Sequence, residues 1–99
     1  MFFDFDWDAN KARTNLAKHG VSFRLAASVF RDALALTIFD EEHSIDEERW
    51  VTLGRADNGQ VLVVVHTGEN ASDAELRIRI ISARRAEPAE VRDYEYVPR

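Results

Sequence analysis

The chain has 99 residues, 45% of them hydrophobic and 31% charged, and its net charge is −5. That length predicts one domain (1–99) with a modest core, burying roughly 65% of the unfolded surface. With no cysteine, disulfides, thiolate zinc sites and a cysteine nucleophile are excluded. The longest apolar run, 61–65, is far shorter than the ~20 residues of a membrane helix, and the acids among the first eight residues are unlike a secretory signal. The expectation is a soluble, cytoplasmic protein with no membrane partner. Its charge is polarised. Residues 40–48 carry six acids and no Lys or Arg, and the rest of the chain balances 12 acids against 13 bases, with Arg77, Arg79, Arg84 and Arg85 close together.

Residues 2–7 alternate Phe3, Phe5 and Trp7 with Asp4, Asp6 and Asp8, which predicts a half-buried strand. An exposed aromatic strand would be an aggregation edge, so it is expected to join the same sheet as 61–65. Asp8 can cap a helix to about His19, with Ala9, Ala12, Leu16 and His19 as its inner stripe and Lys11, Thr14, Asn15 and Lys18 elsewhere. Gly20 is a natural left-handed stop. Ser22 caps a second helix, 23–31, with Ala26, Val29 and Phe30 inward. Strands follow at 34–39, 49–55, 61–67 and 76–83, with the acidic loop after the first and an Asn58-Gly59 hairpin turn between the second and third. Val61-Leu-Val-Val-Val65 is apolar on both faces, as in a central strand. Residues 68–73 read as a loop, and Pro88 opens a final helix to about Tyr96.

This order predicts an α+β domain: an N-terminal strand, two helices, a mainly antiparallel meander and a C-terminal helix. The helices are expected to cover one face of the sheet. The other face would be exposed or covered by a partner, with Arg77 and Arg79 pointing there.

These residues carry a resemblance. Phe5-Asp6-Trp7-Asp8, Lys11-Ala12, Asn15, Lys18-His19-Gly20-Val21-Ser22-Phe23, Ala26 and Val29-Phe30 resemble the front half of the BrnT family. Asp40, His43-Ser44, Glu48-Arg49 and Gly54 match its middle. Arg79-Ile80-Ile81-Ser82-Ala83-Arg84-Arg85-Ala86, Glu90 and Tyr94 match its end. The resemblance spans nearly the whole chain. It implies a RelE-like fold and a ribonuclease toxin of a type II toxin–antitoxin pair that cuts RNA and inhibits translation. It also implies a BrnA-type antitoxin with a ribbon-helix-helix domain, so that operator DNA is met only through the antitoxin. No cofactor is implied. The chain departs from the family in a longer 68–75 loop without arginine, in a final helix with Arg92 as its one base, and in Ala33 where proline is common.

Cleaving RNA without metal uses the 2′-hydroxyl as nucleophile. The protein must supply a base, an acid for the leaving oxygen, and cations for the charge on phosphorus. Arginine suits the last role, because its planar fork matches phosphate. Arg79 and Arg84 are the candidates, against a reading as solvated strand-end arginines. Tyr94, one turn after Glu90, can stack on a base or pass a proton, or can simply dock the last helix. Lys18 and His19 end the first helix, where histidine suits proton transfer and both also suit the helix dipole. Glu48 is a candidate base, with His43 nearby.

Asp40, Glu42 and His43 with Glu47 or Glu48 can alternatively be read as a hard-metal cluster, though acid runs are more often solvated loops. His66 reads as a satisfied strand-end histidine. Beside the metal-independent endoribonuclease stand two other readings. One is a catalytically weak or inactive BrnT-like domain that acts as antitoxin partner and co-repressor. The other is a metal-dependent nuclease built on the acidic loop.

Overall fold

The computed structural model describes residues 2–98, with the backbone alone at 69–71. Strand β1 (Phe2–Asp6) leads into helix α1 (Ala9–His19) and the short helix α2 (Phe23–Ala27), which continues as a 3-10 turn, Ser28–Arg31. The strands β2 (Leu36–Phe39), β3 (Trp50–Arg55), β4 (Val61–His66), β5 (Glu69–Ser72) and β6 (Glu75–Arg85) follow, and helix α3 (Pro88–Tyr96) ends the chain. The α+β reading and its element order stand.

The helix ends are set by the expected residues. The Asp8 carboxylate accepts the amides of Asn10 and Lys11 at 2.8 and 3.0 Å. Gly20 adopts φ 68°, and its N–H closes the last turn onto the Leu16 carbonyl. Ser22 caps α2 through the Leu25 amide. Helix α3 opens on Pro88 with a capping box between Glu87 and Glu90.

The sheet order is β1-β6-β4-β3-β2, with β5 also paired to β6. Strand β1 does join the sheet of β4, as expected, but through β6 and in parallel, Phe3 against Leu76 and Phe5 against Ile78. The other pairs are antiparallel, so the sheet is mixed. Residues 68–73, read as a loop, contain β5. A bulge after Val65 lets the chain leave β4 and pair again with the first half of β6.

One face of the sheet meets α1 and α2 in a core of Val21, Phe23, Ala26, Val29, Leu62, Val64, Ile78, Ile80 and Ala83. The 3-10 turn lies close on β3, where a Cβ on Gly54 would meet those of Val29 and Ala35 at 3.1 and 3.2 Å. Helix α3 goes to the opposite face. There Glu90 and Asp93 border a groove with Leu36, Ile38, Val51, Leu53 and Val63. The expectation of helices on one face therefore needs correction: α3 starts three residues after β6 ends, and the Arg84–Glu90 pair holds it to the far side.

The inner stripe of α1 is also corrected. Leu16 is 51% exposed, whereas Asn15 is 6% exposed. Strand β1 stops at Asp6, opposite Arg79, so among the described residues the edge of β6 beyond it has no strand partner on that side. Asn15 supplies the missing partners. Its Nδ2 donates to the carbonyls of Ala83 and Val21 at 2.8 and 2.9 Å, and its Oδ1 accepts the Ala83 amide at 3.1 Å. Satisfying buried backbone polar groups outweighs burying one more leucine.

Candidate functional site at the edge of β6

Arg77 and Arg79 are exposed and alternate with the buried Ile78 and Ile80, so they point away from α1 and α2. Parallel pairing sets Asp4 opposite Arg77 and Asp6 opposite Arg79. Arg77 Nε reaches an Asp4 carboxylate oxygen at 3.4 Å. The acids of β1 thus answer the basic half of β6 within the molecule. Among the described residues, the Arg79 guanidinium has no hydrogen-bond partner. Its charge is felt at Asp8, whose carboxyl is held below the usual range by the Lys11 amide first, then by the Asn10 amide and the charges of Lys11 and Arg79.

Past β1, α1 runs beside the free edge of β6. Lys11, Asn15, Lys18 and His19 line a shallow cleft of about 380 Å³ with Ile81 and Ser82 as its floor. A bulge shapes this floor: Val65 pairs with Ser82 and His66 with Ile80, which leaves Ile81 as the extra residue. The cleft therefore lies between Arg79 and Arg84 along the strand. Lys11 was not singled out in the sequence, though Lys11, Asn15 and Lys18 follow the spacing of one helix face. Ser82 was read only as part of the 79–86 block that carries the resemblance, because a bulge leaves no mark in a single sequence.

Arg84 and Tyr94 are engaged elsewhere. The Arg84 fork grips the Glu90 carboxylate with Nη1–Oε1 2.7 Å and Nη2–Oε2 2.9 Å. This bond is the main cause that lowers the pKa of Glu90 and raises that of Arg84. The Tyr94 hydroxyl donates to Asp32, and the Arg55 guanidinium lies 5.5 Å from the ring centre. Burial and then Asp32 raise the Tyr94 pKa. Burial works against the Asp32 charge as well, but the Tyr94 hydroxyl and the amides of Arg55 and Leu34 outweigh it, leaving that carboxyl below its ordinary range. Both residues fasten α3, and neither side chain is directed at the cleft beside Lys18.

Glu48 is exposed in the loop entering β3, two strands away from β6, so the fold does not bring it to Arg79 or Lys18. His43 Nδ1 contacts Asp40 at 2.9 Å. Among the described residues, no three acidic, histidine or cysteine side chains converge as metal ligands. No helix among them is long and apolar enough to cross a membrane.

Comparison with known proteins places this architecture. Residues 7–90 match the family model described as the ribonuclease toxin BrnT of type II toxin–antitoxin systems. No curated protein matches the sequence. Among solved structures, the fold is similar to the crystal structure of the Brucella abortus ribonuclease toxin BrnT. The TM-score is 0.63 at 20% identity, over 88% of this chain and 99% of that one. The family match includes all of α1 and β6, which line the cleft, and the chain belongs to the BrnT family of ribonuclease toxins of type II toxin–antitoxin systems.

Proposed function

We propose that this chain is a metal-independent endoribonuclease whose RNA substrate lies along the open edge of β6. The observation that carries this reading is the cleft and the arginine next to it: Lys11, Lys18 and His19 line the stretch of β6 that a helix, and not a strand, flanks among the described residues, and Arg79 stands where the pairing with β1 ends. A ribose 2′-oxygen attacks phosphorus, the bond to the 5′-oxygen breaks, and a cyclic phosphate and a free 5′-hydroxyl result. Arg79 is exposed on a strand and free to pair with the phosphate oxygens, so it stabilises the charge that builds there. Lys18 adds a second cation. His19 is the group suited to take or return the proton. Glu48 is remote from this cleft and has no role in the reading, and Arg84 and Tyr94 hold α3. Cleavage of RNA in the cytoplasm slows translation. A BrnA-type antitoxin neutralises the enzyme by covering this edge, and the pair meets operator DNA through the antitoxin.

A second reading, a weak or inactive domain that serves as antitoxin partner and co-repressor, draws on the engagement of Arg84 by Glu90 and of Tyr94 by Asp32. The test is RNA cleavage by the purified protein with and without excess chelator, beside growth after expression without antitoxin. Cleavage that persists in chelator, with growth arrest, supports the enzyme. No cleavage and no arrest supports the second reading, and cleavage abolished by chelator overturns metal independence.

A further inference from the structure

On the α1/α2 face, the face opposite Arg79, the helices leave one part of the sheet uncovered. A pocket of about 390 Å³ opens there, lined by apolar side chains, among them Phe3, Phe30, Trp50 and Leu76, and by Thr37, Thr52 and His66. Its volume is at the low end for ligand pockets, about 300–1,000 Å³, and suits one ring system. Thr52 and His66 are 1% and 4% exposed. They form a hydrogen-bonded line: Thr37 Oγ1 to Thr52 Oγ1 at 2.8 Å, Thr52 Oγ1 to His66 Nε2 at 2.6 Å, and His66 Nδ1 to the Thr67 carbonyl at 2.9 Å.

The direction of this line can be deduced. A carbonyl only accepts, so His66 Nδ1 carries a proton and donates it. Burial favours the neutral imidazole, so Nε2 is an acceptor and takes the Thr52 proton. Thr52 then accepts from Thr37. Every hydroxyl proton points inward, and the outermost oxygen, on the exposed residue Thr37, offers the pocket only lone pairs. An occupant whose polar tip is a donor satisfies that oxygen, whereas one without a donor leaves it desolvated and unpaired.

The adjoining loop adds charge. Trp50 and its ring neighbour Phe39, 5.0 Å apart, flank the loop that carries the six acids of residues 40–48. A partner segment seated here would place basic residues beside its aromatic anchor.

We propose that the pocket receives one donor-bearing aromatic side chain, tryptophan or tyrosine, from a Lys/Arg-flanked segment of the antitoxin. This rests on the toxin–antitoxin reading. It assigns the antitoxin a second anchor, on the face opposite Arg79. Tryptophan and tyrosine are the side chains most enriched where interfaces concentrate their affinity.

The probes are indole and 1-methylindole, in which a methyl group replaces the ring N–H donor. They are titrated into the isolated protein, followed by amide NMR shifts at Thr37, Thr52 and His66. Indole is expected to bind about tenfold more tightly than 1-methylindole. Thr37→Val should remove that preference, and Thr37→Ser should retain it. In the complex with antitoxin, indole should no longer shift these amides, and Thr37→Val should weaken antitoxin binding several-fold. Equal affinity of the two probes, no shift up to the solubility of indole, or indole binding undiminished in the complex overturns the proposal. Failure of the underlying reading looks different. No complex forms with the antitoxin while the indole preference persists, which overturns the occupant and leaves the pocket's donor selectivity standing.

Discussion

Asn15 shows how far one side chain can depart from the pattern around it. The apolar spacing of α1 predicts Leu16 inward, but the open edge of β6 recruits Asn15 instead to satisfy Ala83 and Val21. Asn15→Ala would strand an amide and two carbonyls, and is expected to destabilise the protein by about 3 kcal/mol. Urea unfolding measures this, and a loss below about 0.5 kcal/mol would show that the edge finds other partners. His66 was legible as a satisfied strand-end histidine. Its partners were not, because Thr37 and Thr52 lie 29 and 14 residues away and come together only through strand register. Burial lowers the His66 pKa below the ordinary 6.5 of a free imidazole. The unfolded chain then binds the extra proton first, so stability is fully present above about pH 6.5 and declines as pH falls below it, by at most about 1.4 kcal/mol per pH unit from this group. The carboxyls of Asp8, Asp32 and Glu90, all lowered, retain their contribution in this range and lose it only in more acid solution. Chemical unfolding at pH 7.5 and 5.5 checks the sign. A protein as stable at pH 5.5 as at 7.5 would contradict the neutral imidazole.

Among the elements, β1 was visible as an alternating strand, but period two does not name a partner. Its parallel pairing joins residues 2–6 to 75–79, a contact no local pattern encodes. That pairing decides the electrostatics of the site, because it sets Asp4 and Asp6 beside Arg77 and Arg79. The helix caps at Asp8, Gly20 and Ser22 were readable because a cap acts within four residues. Strand β5 was read as a loop, since a four-residue strand after a bulge lacks the length to show alternation. For α3, Glu90 and Tyr94 were correctly placed on one helix, but their partners Arg84 and Asp32 made that face an attachment. Tyr94→Phe removes the hydroxyl from Asp32 and should cost about 1.5–3 kcal/mol, the range for a hydrogen bond to a charged group, while RNA cleavage stays within about threefold of the parent. Thermal unfolding beside a cleavage assay separates the roles, and a large loss of cleavage without loss of stability would return Tyr94 to the chemistry.

At the scale of the whole molecule, the two faces of the sheet carry different surfaces. On one side of β6 lie Arg77, Arg79 and the α3 groove. On the other lies the aromatic pocket beside the acidic loop. The net charge of −5 hides this division. An antitoxin that anchors on both surfaces would be steered by charges of both signs, so its association should slow as salt rises, and stopped-flow rates at low and high ionic strength measure this. Rates independent of salt would exclude charge steering. The central claim is that Arg79, held on a rigid strand where the pairing with β1 ends and the open edge of β6 begins, stabilises the charge on phosphorus. Its most direct test is RNA cleavage by Arg79→Ala and Arg79→Lys beside the parent, with a melting curve for each. The account predicts a loss of about 10²-fold or more for Arg79→Ala, a large part of that loss for Arg79→Lys, which keeps the charge without the fork, and an unchanged melting temperature for both. Cleavage by Arg79→Ala at the parent rate, or unfolding of that variant, would contradict it.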